Sequence, residues 1–131
     1  MKTEILQTAE ARALNGELPC EEAHALASEF GVSPLELGQA LTKAGKLRFS
    51  RCQLGLFGYG NKAAGEHKIV LKAARVPPEI ATALAAQTVN GRVPCAAVWQ
   101  VAAAFHYPRL GMANIVEALG LKVSPCQLGC F

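Results

Sequence analysis

Residues 52–60 read CQLGLFGYG, and residues 126–131 read CQLGCF. A tetrapeptide headed by cysteine is not expected to recur by chance in a chain of 131 residues. The recurrence extends well beyond it. NGELPC at 15–20 matches NGRVPC at 90–95, an offset of 75. At that offset Glu4, Ile5, Ala27, Phe30, Leu35 and Gly45 match Glu79, Ile80, Ala102, Phe105, Leu110 and Gly120. One deleted residue then changes the offset to 74. There Leu47, Ser50, Cys52 and Phe57 match Leu121, Ser124, Cys126 and Phe131. Order is kept throughout, so the chain is an internal duplication. Two copies suit a pseudo-twofold pair, because a solenoid normally needs more units.

Within the first copy, residues 3–14 read as a helix closed by Asn15-Gly16. A short extended piece, ELP, leads to Pro19 and a second helix that runs to Phe30. Glu21 and Glu22 lie favourably in its first turn. Ser33, Pro34 and Glu36 form a capping box for a third helix that ends near Ala44-Gly45. KLRFSRCQL alternates apolar and polar residues and reads as a strand. GLFGYGNKAAGEH is a glycine-rich loop, and KIVLKAARV reads as a return strand. The second copy repeats the helices at 79–89, 94–105 and 109–119 and the strand at 121–128, without the loop or the return strand.

AHALASEFGVSPLELGQAL at 23–41 resembles the helix-turn-helix of bacterial transcription regulators. Ala27 is the small residue at the helix crossing, Gly31 the left-handed turn residue, Val32 the apolar residue after it, and Leu37 the buried one six after the glycine. With ELP before it and strand–loop–strand after it, the order resembles a winged helix. The expected fold class is therefore mainly α with small β, built as tandem winged helix-turn-helix units in pseudo-twofold arrangement. Residues 1–76 form copy one, with a basic wing at 56–76; residues 77–131 form a truncated copy two. His106 stands where the turn glycine is expected, so a standard tight turn is not expected there.

The resemblance implies duplex DNA as partner, with helix 34–44 in the major groove. Gln39, Thr42 and Lys43 would face the duplex from that helix, and Arg109 from its counterpart. Lys62, His67 and Lys68 would contact it from the wing. The charge distribution points the same way. The net charge of +3 sits wholly in residues 58–78, where Lys62, Lys68, Lys72 and Arg75 oppose only Glu66. A solvated loop would account for the same lysines. Helix-turn-helix units also serve protein contact, so a homodimer or protein-interaction module without nucleic-acid binding is the alternative.

Cys20 and Cys95 follow proline at a helix start, where the dipole and free amides favour thiolate. Cys52 and Cys126 end the strand after the third helix, near enough in a winged helix for each pair to approach within its copy. Cys130 adds a C-x3-C. Three uses are open: buried core residues, a zinc or iron–sulfur site, and a reversible dithiol switch. His24 is expected to face glutamates, and Trp99 and Phe105 to fill the core.

Other classes are disfavoured. The apolar content of 51% and low charge argue against disorder. No run is long enough to span a bilayer and no signal segment opens the chain, giving a cytoplasmic reading. GLFGYGNK lacks phosphate-loop spacing. No nucleophile–base arrangement is visible, and the absence of aspartate narrows acid–base chemistry further, so an enzyme is not expected.

Overall fold

Alanine-rich amphipathic segments broken by proline and glycine become six helices in the computed structural model, which describes residues 2–60 and 65–131. Copy one contains α1 (Lys2–Arg12), β1 (Glu17–Pro19), α2 (Cys20–Phe30), α3 (Pro34–Ala44) and β2 (Arg48–Ser50). Copy two repeats the order as α4 (Pro78–Ala86), β3 (Arg92–Val93), α5 (Cys95–Ala104), α6 (Arg109–Ala118) and β4 (Lys122–Val123). Among the described residues no helix is long and apolar enough to cross a membrane.

The local signals act as their chemistry requires. Ser33 Oγ accepts from the Glu36 N–H while Glu36 accepts from the Ser33 N–H, both at 3.1 Å, closing the capping box of α3. Ala27 and Leu37 are buried where α2 meets α3, and Gly31 takes φ 66° at the turn. In copy two His106 adopts φ 53°, a left-handed conformation that is uncommon for a residue with a side chain. The turn survives the substitution. Tyr107 N–H bonds the Ala102 carbonyl at 2.8 Å, as Val32 N–H bonds the Ala27 carbonyl at 3.0 Å.

The strands differ from expectation. Each copy makes one two-stranded parallel pair, β1 with β2 and β3 with β4, with Leu18 opposite Phe49 and Val93 opposite Val123. The antiparallel wing is absent among the described residues, because no strand forms at 65–76. Asn114 of α6 captures that segment instead. Its side-chain oxygen accepts from Leu71 N–H at 3.0 Å, and its carbonyl accepts from Ala73 N–H at 3.0 Å. Val70, Ala73 and Val76 consequently pack on copy two. The linker thus straps α6 rather than returning to β2.

The two cores are interlocked by exchange. Leu54, from the first CQLG, is fully buried in the copy-two core beside Ile80, Leu84, Met112 and Ile115. Leu128, from the second, lies in the copy-one core beside Ile5, Leu26, Leu37 and Leu41. Burying each leucine contributes roughly 1.5–3 kcal/mol. The flanking glycines repeat the exchange: a Cβ on Gly55 would meet Leu110, and one on Gly129 would meet Leu35, the counterpart of Leu110.

Equivalent residues also touch each other, which marks the pseudo-twofold axis. Phe57 and Phe131 meet edge to face at 6.2 Å. His24 and Trp99 occupy corresponding positions and stack with ring centroids 4.5 Å apart. His24 therefore faces Trp99 rather than a glutamate-rich helix. Phe105, expected in the core, is instead 39% exposed at the end of α5.

Gly38 of α3 lies hard against the other copy, where a Cβ would run into the Leu128 carbonyl. Gly38→Ala forces the second CQLG turn off α3. It should cost about 1–3 kcal/mol or more in denaturant unfolding, the range for overpacking. An unchanged midpoint would mean that the second turn does not seat on α3.

Candidate functional site

Both CQLG segments fold into the same closed turn. Gly55 N–H bonds the Cys52 carbonyl at 2.9 Å, and Cys52 N–H bonds the Phe57 carbonyl at 3.2 Å. In copy two the corresponding bonds run from Gly129 to Cys126 at 3.1 Å and from Cys126 to Phe131 at 2.8 Å. The turn wraps backbone amides around the sulfur of its own cysteine. Leu54, Gly55 and Leu56 direct N–H groups to Cys52. Leu128, Gly129 and Cys130 do so to Cys126, with Leu128 N at 3.4 Å from Sγ. The glutamines serve the other two thiols. Gln53 N–H points to Cys20, and Gln127 points its N–H and its side-chain amide to Cys95, the latter at 3.4 Å. By distance Cys95 and Cys126 accept N–H bonds, and the amides of the first turn favour thiolate at Cys20 and Cys52 without closing a bond of that length.

The thiols are also coupled between the two copies. Cys20 and Cys95 are near enough for a charge on one to raise the pKa of the other, and so are Cys52 and Cys126. All five cysteines carry free thiols; Cys20, Cys52 and Cys95 are buried, Cys126 half-buried and Cys130 exposed. The sequence allowed each pair to approach within its copy, and with the turns exchanged the charge coupling also runs between the pairs. Among the described residues no three His, Cys, Asp or Glu groups stand close enough to ligate one metal ion.

Electrostatics divide the set. Burial pushes the Cys20 thiol up to about 12, against the N–H bond from Gln53. Burial likewise raises Cys52 and Cys95. The helix-start effect expected to favour thiolate at Cys20 and Cys95 is outweighed by desolvation. Cys126 goes the other way, down to about 6, chiefly because the Cys130 thiol donates to it, with the turn amides adding to the effect. Cys130 is raised for the same reason, since losing its proton would leave two adjacent thiolates.

The DNA-directed residues do not gather. Gln39, Thr42 and Lys43 are exposed on α3. Lys68 lies 3.6 Å from Glu117, and the guanidinium of Arg109 stacks 3.6 Å from the Trp99 ring centre. His67 is half-buried, its Nδ1 without a hydrogen-bond partner among the described residues. Lys62 lies outside the described residues. Arg109 and burial together hold His24 below its ordinary pKa, burial being the larger cause. A neutral imidazole on Trp99 avoids two cations sharing one ring.

Several residues of the site escape a sequence reading. Gln53 and Gln127 act through their place in the repeated turn, and their duplication was the available signal. Tyr59, whose hydroxyl donates to the Cys52 carbonyl at 2.5 Å, gives none, because copy two has no counterpart.

Comparison of the chain with protein-family models, curated proteins and solved structures finds no match.

The contrast among thiols sets a pH profile. Cys126 lies below the ordinary thiol range, so its thiolate persists at neutral pH and is lost as pH falls through about 6. Alkylation of Cys126 by iodoacetamide, followed by peptide mass mapping, should therefore change little from pH 9 to about 7 and decline near 6. Cys130→Ala removes the principal donor and should move that midpoint upward. A Cys126 profile centred at the ordinary thiol value in the unsubstituted protein would refute the pairing.

Proposed function

We propose that this chain is a small cluster-binding module, with an iron–sulfur cluster held on its pseudo-twofold axis by Cys20, Cys52, Cys95 and Cys126. The observation that carries this reading is that N–H groups of the two CQLG turns act to lower the pKa of all four thiols, with Cys95 and Cys126 hydrogen-bonded at 3.4 Å. Hydrogen bonds to sulfur stabilise thiolates and tune the potential of such centres. A purely structural cysteine core has no use for them.

Spacing favours a cluster over one zinc ion. A Zn–S length of about 2.3 Å in a tetrahedron requires sulfurs about 3.8 Å apart. No trio of ligating groups among the described residues is so gathered, yet the thiols feel one another's charge. A cluster carries its metals between the thiolates and spans a wider cage. Cys130 then serves as a thiol donor to Cys126 rather than as a ligand.

Anaerobic reconstitution with ferric iron, sulfide and a dithiol reductant should give visible sulfur-to-iron absorption and about four irons per chain, the stoichiometry of a four-cysteine cubane. Serine at any of the four ligand positions should lower iron content sharply, while Cys130→Ser retains it. Three of the four ligand thiols have raised pKa values and one is already a thiolate at pH 7. Loading at that pH should therefore release about three protons from the protein. Colourless, iron-free protein after reconstitution would overturn the reading; zinc uptake at one ion per chain would replace the cluster by a single ion.

A second reading rests on α3, where Gln39, Thr42 and Lys43 are exposed after the left-handed turn at Gly31. It makes the module a regulator that binds duplex DNA. Binding should then weaken with salt and fall further in Lys43→Glu. Absence of binding at low salt would leave the module without this role.

A further inference from the structure

The geometry points to a binding cleft for a small aromatic anion beside Cys130, separate from the four sulfurs and independent of whether they hold a cluster. The cleft has a volume of about 730 Å³ and lies between the linker, α6 and the C-terminal turn. Lys68, Lys72 and Lys122 line it, with Phe57, Phe131 and Cys130. Only Lys68 has an acidic partner there, Glu117 at 3.6 Å; among the described residues Lys72 and Lys122 have none. Two unneutralised ammonium groups facing one cavity repel each other, and an anion between them removes that cost.

The lining is mixed in the way small-molecule sites are, with an apolar body and a few placed charges. The edge-to-face arrangement of Phe57 and Phe131 offers ring surface to a flat apolar group. Lys72 comes from the linker, which occurs once in the chain, so copy one has no equivalent of this cleft. That uniqueness gives the basic segment 58–78 a local role apart from DNA: Lys68 and Lys72 converge with Lys122 on a cavity. The ligand class is an aromatic ring bearing a phosphate or carboxylate, with a charge matched to the two free lysines. Bound there, it covers the exposed Cys130 thiol.

Phenyl phosphate is the probe, with benzyl alcohol as the uncharged ring and inorganic phosphate as the ringless anion. Titration calorimetry should show phenyl phosphate binding at least about tenfold more tightly than either control, since charge and ring both contribute. Lys72→Gln with Lys122→Gln should weaken phenyl phosphate by about tenfold or more while unfolding midpoints stay unchanged. Saturating phenyl phosphate should also slow alkylation of Cys130 several-fold in the unsubstituted protein and leave it unslowed in the double variant. No heat at millimolar phenyl phosphate, equal binding by benzyl alcohol, or full affinity in the double variant would each overturn the proposal. Neither lysine is a cluster ligand, so these results stand whatever the iron content proves to be.

Discussion

The reciprocal insertion of Leu54 and Leu128, each into the core of the other copy, is the constraint on which the rest of the structure depends. A duplicated unit of this size buries too little surface to be comfortably stable alone. Exchange of one leucine-bearing turn per copy joins the two cores and fixes their relative orientation. It also brings Phe57 against Phe131 and His24 against Trp99, and it sets Cys20, Cys52, Cys95 and Cys126 near enough to feel one another's charge. The charge coupling among the thiols is therefore a consequence of how the copies lock together.

The turn that locks is also the turn that donates. In each CQLG the cysteine begins a closed loop, the leucine crosses to the other core, and the glycine permits the close approach to Leu110 or Leu35. Gln127 bonds Cys95, the proline-linked cysteine of its own copy, and the Gln53 N–H favours thiolate at Cys20 in the other. Every residue of the tetrapeptide thus has a physical role. Beyond the tetrapeptide the copies diverge. The first continues into a linker strapped to α6 by Asn114, and the second adds Cys130, whose thiol lowers Cys126 and leaves one ready thiolate among raised ones.

Much of this was legible in the sequence for identifiable reasons. The six helices follow from alanine-rich periodicity between proline and glycine stops, and Ser33 with Glu36 announces its capping box. Positive φ at His106 was not legible, because only the surrounding helices force a histidine into a glycine conformation. The wing failed as an expectation because strand alternation in 68–76 says nothing about a partner, and Asn114 supplied one by hydrogen bonding. Parallel pairing of β1 with β2 is carried by three residues, too few to leave a pattern. Leu54 and Leu128 are apolar in either core, so their exchange leaves no mark on composition. For the same reason the charge coupling among Cys20, Cys52, Cys95 and Cys126 leaves no sign in the sequence, where they form two separate pairs.

The exchange itself is open to direct measurement by nuclear Overhauser contacts in methyl-labelled protein. Gly55 should show contacts to the Leu110 methyls and Gly129 to the Leu35 methyls, with Leu128 methyls seeing Leu37 or Leu41 of copy one. Contacts from Gly129 and Leu128 confined to copy two, and from Gly55 confined to copy one, would contradict the crossed turns and with them the shared thiol site.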